Sequence, residues 1–171
     1  MAHGLSQQEL KEIVEEEVLL IRHSGEIPEI ALHSSLHYLF EEDDGPGLSP
    51  GDIDLTPLKL AVVDRYRRII LRDLNPRNRD KSIYRGLARS IVNWRRLRLF
   101  IEREGVGELE PIRQETARAL AAFLENEASE VFSGTRASCI NCTYEELKEF
   151  AEELGLSLDE LPEGLSRLCQ T

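Results

Sequence analysis

Apolar residues recur along this chain three and four apart, and no segment alternates in the two-residue rhythm of a half-buried strand. Ser6-Gln7-Gln8-Glu9 has the form of a capping box, a hydroxyl and a carboxylate satisfying orphan amides, so a first helix is predicted over 7–23, ahead of Gly25. Pro28 suits a first helical position and leads Ile30, Leu32, Leu36, Leu39 and Phe40 into the acidic Gly/Pro stretch 41–51, which reads as a loop. Thr56-Pro57 opens a third helix with Leu58, Val62, Ile69, Ile70 and Leu74 apolar. Asn75-Pro76 closes it, because proline disfavours helix in the residue before it. The fourth helix is expected over 80–104. In projection Ile83, Leu87, Ile91, Trp94, Leu97 and Ile101 share one face, with Arg85, Arg89, Arg96 and Arg103 opposite. Pro111 opens a fifth, carrying Leu120, Phe123, Leu124, Ala128 and Val131 to Gly134. Thr143-Tyr144-Glu145-Glu146 and Ser157-Leu158-Asp159-Glu160 repeat the capping-box signature, so a short sixth helix to Gly155 and a final one ending near Leu168 are expected to form a hairpin. The fold this predicts is all-α, an irregular bundle of about six or seven helices. Residues 1–134 form its core domain, and 135–171 a C-terminal helical appendage with a C-x-x-C.

The chain has 171 residues, enough to bury a core without staples, and 41% of them are apolar. The aliphatic run Val18 to Ile21 is far too short to cross a bilayer, and Glu9, Glu12, Glu15, Glu16 and Glu17 stand where a signal peptide needs a basic start. A cytoplasmic address without membrane association is the expectation. The net charge of −11 is unevenly divided: residues 1–64 hold 3 Lys/Arg against 14 Asp/Glu, 65–103 hold 13 against 3, and 104–171 hold 5 against 15.

The basic middle supplies a candidate anion- or partner-binding stripe. Arg65, Arg68 and Arg72 share the polar side of the third helix, and the turn Arg77-Asn78-Arg79 joins them to Arg85, Arg89 and Arg96 on the fourth. Planar guanidinium forks suit phosphate. An acidic chain also neutralises such a stripe with its own carboxylates or offers it to a protein, and this reading is preferred because Trp94 belongs to the apolar face and aromatic interleaving is poor.

Cys139-Ile140-Asn141-Cys142 lies just before a helix start, where the helix dipole favours thiolate, and a helical hairpin would return Cys169 to the side from which Cys142 departs. Three thiolates together would suit zinc, given a fourth ligand such as a His from the first two helices, or a dithiol switch. The competing reading is three ordinary small hydrophobes. His33 and His37, with Glu29 and Glu41 a turn to either side, are read as rings covering a core boundary, since H-E-x-x-H and paired E-x-x-H are lacking. Glu17 projects among Leu10, Ile13 and Ile21 and is expected to meet an Arg from 65–103.

Ala151, Gly155 and Ser157, with Leu156 and Leu161 apolar, resemble the turn of a bacterial helix-turn-helix over about twenty residues. The corresponding recognition helix carries Asp159, Glu160, Pro162 and Glu163, which a polyanion would repel, so the segment is read as a hairpin for packing or protein contact. No catalytic constellation and no glycine-rich phosphate loop stands out. The expectation is a non-enzymatic intracellular interaction or regulatory protein, with a protein partner preferred over nucleic acid and self-association open to it. The alternatives are nucleic-acid or polyphosphate binding by the Arg-rich helices and a Cys-based metal or redox module.

Overall fold

The computed structural model describes residues 4–81 and 84–170. Among these the chain is all-α, with six helices: α1 (Gln7–His23), α2 (Pro28–Phe40), α3 (Thr56–Asp73), α4 (Leu87–Glu104), α5 (Leu109–Phe132) and α6 (Tyr144–Glu153). Four 3-10 turns lie between or after them, at Pro50–Asp52, Pro76–Asn78, Leu158–Glu160 and Leu165–Arg167. Contacts divide the chain into two compact units, Met1–Tyr66 with Phe100–Gly107, and Arg67–Leu99 with Glu108–Thr171. Helices α3 and α4 each supply residues to both, and residues 135–171 belong to the second unit.

In the first unit α1 begins as its sequence dictates: Ser6 Oγ accepts the Glu9 amide at 3.1 Å, and the Glu9 carboxylate accepts the Ser6 amide at 2.7 Å. Pro28 occupies the first turn of α2. The core is built from Leu10, Ile21, Leu32, Leu39, Leu58, Val62, Tyr66 and Phe100. Full burial of each such side chain contributes about 1.5–3 kcal/mol. Buried Leu48 donates its amide to the Leu39 carbonyl at 2.9 Å, which folds the acidic loop back on the end of α2.

The second unit buries Ile70, Leu74, Leu87, Ile91, Trp94 and Leu97 from α3 and α4, Leu120, Phe123 and Leu124 from α5, and Leu147, Phe150 and Leu154 from the α6 region. The apolar face expected of the fourth helix is therefore core, with Ile101 buried as well; Ile83 lies outside the described residues.

Two expected elements are corrected. The fourth helix begins at Leu87 rather than near Asp80, because Gly86 adopts a left-handed φ of 87° and Asn141 caps the helix from a distant loop, its Oδ1 accepting the Ala88 amide at 2.9 Å. A Cβ at position 86 would meet Asn141 Nδ2 at 2.3 Å, so the approach requires glycine. The final helix is replaced by two 3-10 turns. Leu161 before Pro162 is extended, at ψ 158°, and Gly164 is left-handed at φ 79°, so helical backbone is interrupted twice. The C-terminal hairpin is thus one α-helix followed by turns, closed where the Gln170 amide donates to the Cys142 carbonyl at 3.0 Å.

Candidate functional site

The most densely bonded polar cluster is in the second unit and had no counterpart in the sequence reading. Glu127 of α5 is 0% exposed. Its Oε1 accepts from Arg79 Nε at 2.8 Å and Arg136 Nη2 at 2.7 Å, and its Oε2 accepts the Cys139 amide at 3.2 Å. Arg79 continues to the Ala137 carbonyl, and Arg136 to Asn126 Oδ1 and the Glu130 carboxylate. A buried carboxylate facing two guanidiniums and an amide is compensated, and these bonds tie the 76–81 turn and the 135–139 loop to α5. The signal for Glu127 was present in the sequence, since it falls three and four residues from Leu124 and Phe123, inside the apolar stripe.

The thiols belong to the same unit. Cys139 Sγ lies 3.6 Å from the Tyr84 hydroxyl, and the Tyr84 ring stacks on Phe123 with centroids 6.5 Å apart. Cys142 is buried, and the return of the chain at Gln170 brings Cys169 beside it. Burial pushes the Cys142 thiol up to about 12, and the neighbouring Cys169 thiol and Glu146 carboxylate act in the same direction. Burial raises Cys139 and Cys169 as well. Desolvation thus opposes the thiolate that the dipole of α6 would favour. All three cysteines are free, and among the described residues no group of three or more His, Cys, Asp or Glu is placed to hold a metal ion.

The arginines divide into those bonded within a unit and those left at its surface. Arg67 grips Glu115 through two bonds of 2.6 Å, Arg95 pairs with Glu149 at 3.5 Å, and Arg98 with Glu153 at 3.3 Å. Of the six stripe residues, Arg65 belongs to the first unit, its Nε donating to the Ser24 carbonyl at 3.1 Å. The other five belong to the second. Arg72 pairs with buried Asp73 at 3.3 Å, and Arg68 and Arg85, both exposed, are engaged. Arg89 is exposed and Arg96 half-buried, and neither has an ion-pair partner among the described residues.

In the first unit the arrangement is opposite. Helix α1 leaves Leu19 and Leu20 exposed, Leu20 by 62%, and α2 leaves Ile30 and Tyr38, with Ile27 exposed just before it. Between them runs a groove of about 800 Å³ whose lining includes Glu16, Glu17, Leu19, Leu20, His23 and Tyr38. Glu17 is only 6% exposed, and its side chain is held by Ser35 Oγ, which donates to Oε2 at 2.7 Å. No Arg reaches it among the described residues, contrary to expectation; Arg65 donates to the Ser24 carbonyl, and Arg22 lies 3.5 Å from Asp64. His33 and His37 are exposed, and His37 Nε2 sits 3.0 Å from the Glu41 carboxylate. A second groove of about 630 Å³ runs along α1, between Leu10, Val14 and Val18 and the Ile53–Pro57 segment. No helix is long and apolar enough to cross a membrane among the described residues.

A family described as a repeat of unknown function, DUF7826, matches residues 9–156. The chain belongs to that family. The match to DUF7826 spans all six helices from Glu9 onward and includes Glu17, the Arg-rich pair, Glu127, Cys139 and Cys142, while the two C-terminal 3-10 turns and Cys169 lie beyond it. No curated protein and no solved structure matches the chain.

Proposed function

We propose that this chain is a protein-docking module, working inside the cell without chemistry of its own, and that the α1–α2 face is where a partner seats. The observation that carries this reading is the exposure of Leu19, Leu20 and Tyr38 along a groove with an acidic lining. Contiguous exposed apolar surface with a polar rim marks interaction sites on otherwise water-facing proteins. The acidic lining selects a basic partner surface and works against nucleic acid. Within the candidate stripe, Arg72 pairs with Asp73 and Arg65 donates to the Ser24 carbonyl, which supports the same reading because it draws those guanidiniums away from a phosphate groove. Membership of a family described as a repeat fits as well, since repeat units bury faces against neighbours.

The test is a titration of the isotope-labelled full chain with a synthetic amphipathic helix of Leu and Lys, and separately with single- and double-stranded oligonucleotides, at physiological salt. The expected result is saturable movement of amide resonances from residues 16–38 with the peptide and none with the oligonucleotides. If the oligonucleotides instead move residues 85–99 and the peptide leaves 16–38 unchanged, the polyphosphate reading replaces this one.

A further inference from the structure

We propose that the basic partner is a second copy of this chain, whose exposed α4 stripe seats on the α1–α2 groove of the first; this rests on the docking reading above. The stripe consists of Arg89, Val92, Arg96 and Leu99, spaced three, four and three apart, so that all four side chains run down one side of the helix. Val92 and Leu99 are exposed, Leu99 by 54%, and Arg89 and Arg96 have no ion-pair partner among the described residues, unlike Arg95 and Arg98 beside them.

The groove has the reciprocal character. Glu17 is buried with a Ser35 hydroxyl as its side-chain partner and no cation, while Leu19, Leu20 and Tyr38 give apolar walls and Glu16 an acidic edge. A carboxylate withdrawn from water without a counter-ion is costly, and a guanidinium brought to it offsets that cost. Each copy thus carries cations lacking anions on one face and an anion lacking a cation on another, with exposed apolar side chains beside both. The 14 Asp/Glu against 3 Lys/Arg in residues 1–64 give the groove an acidic field that draws a basic stripe at longer range. Because the faces differ, the contact is head-to-tail, and copies add in series or close into a ring.

Sedimentation velocity of the full chain over about a hundredfold range of concentration tests this. The sedimentation coefficient is expected to rise with concentration and to do so less at high salt. Arg89→Glu with Arg96→Glu removes one face, and Leu20→Glu with Tyr38→Glu removes the other, so each double variant alone stays monomeric with unchanged helix content. A mixture of the two retains one intact pair of faces and forms a one-to-one dimer that grows no further. Glu17→Gln weakens self-association by about tenfold or more while leaving helix content unchanged. Monomer at every concentration, assembly of either double variant at wild-type strength, or a mixture that stays monomeric overturns the proposal. If the chain is monomeric yet the Leu/Lys helix still binds residues 16–38, the second copy is excluded and the docking reading stands; if the peptide fails too, both are lost.

Discussion

Two glutamates, each shut away from water on a helix, are treated in opposite ways by this fold. Glu127 in the second unit receives two guanidiniums and a backbone amide, whereas Glu17 in the first receives one serine hydroxyl. The difference separates a charge used to hold a fold together from a charge held ready for something outside it. Around Glu127 the surrounding cations are consumed, and three loops or helices are fixed to one another. Around Glu17 the neighbouring apolar side chains are exposed and the neighbouring charge has the same sign.

The sharpest way to break this comparison is to neutralise each in turn. Glu127→Gln leaves Arg79 and Arg136 without their buried counter-ion and is expected to cost about 3–5 kcal/mol, read as a lowered urea midpoint. Glu17→Gln keeps an acceptor for Ser35 and is expected to change stability by less than about 1 kcal/mol. Equal losses would show that both are structural. Next in size, Gly86→Ala places a Cβ against the Asn141 amide and forces an alanine into left-handed backbone. A loss of about 2–3 kcal/mol is expected from strain and the lost cap together, with Asn141→Ala costing the cap alone, about 1 kcal/mol.

The thiols of the second unit give a pH signature. Cys142 titrates near 12 in the folded chain against an ordinary 9.0, so the unfolded chain releases this proton first. Its contribution to stability is complete below pH 9 and is lost as pH rises toward about 12. Denaturant midpoints across that alkaline window, compared with Cys142→Ala, check this, and Cys142 should resist a thiol reagent at neutral pH until the protein unfolds. A smaller pH-dependent effect concerns Asp73, which burial raises above the usual carboxylate range although Arg72 and the Arg85 amide oppose the shift. Its favourable contribution is present in acid and lost as pH rises through its folded-state value. Asp73→Asn is therefore expected to gain about 1 kcal/mol at pH 7 and nothing in strong acid, measured by chemical denaturation at both.

Local signals carried most of the fold. The starts of α1 and α6 were legible because Ser6 with Glu9, and Thr143 with Glu146, close their capping boxes within four residues. The start of α4 was not, because its cap comes from Asn141, far along the chain, and periodicity through Arg85 gave no sign of a left-handed Gly86. The last helix failed where Pro162 and Gly164 outweigh the Ser157 signature. Of the candidate site, the Cys142–Cys169 approach followed from chain direction, while the state of the thiols did not, since burial depends on what packs over them. Which arginines are spent internally is likewise a matter of facing carboxylates on other helices. Helical projection sets Arg96 apart from Arg95 and Arg98, but that Arg95 and Arg98 are the ones paired follows only from the position of α6.

The Asn141 cap also bears on how the chain is made. Ala88 is synthesised 53 residues ahead of the side chain that caps it, and at about 5–20 residues per second that interval lasts roughly 3–10 s. A nascent chain therefore holds α4 with bare amides at its start, and the helix acquires its final boundary only when the Cys139–Cys142 segment arrives to set it.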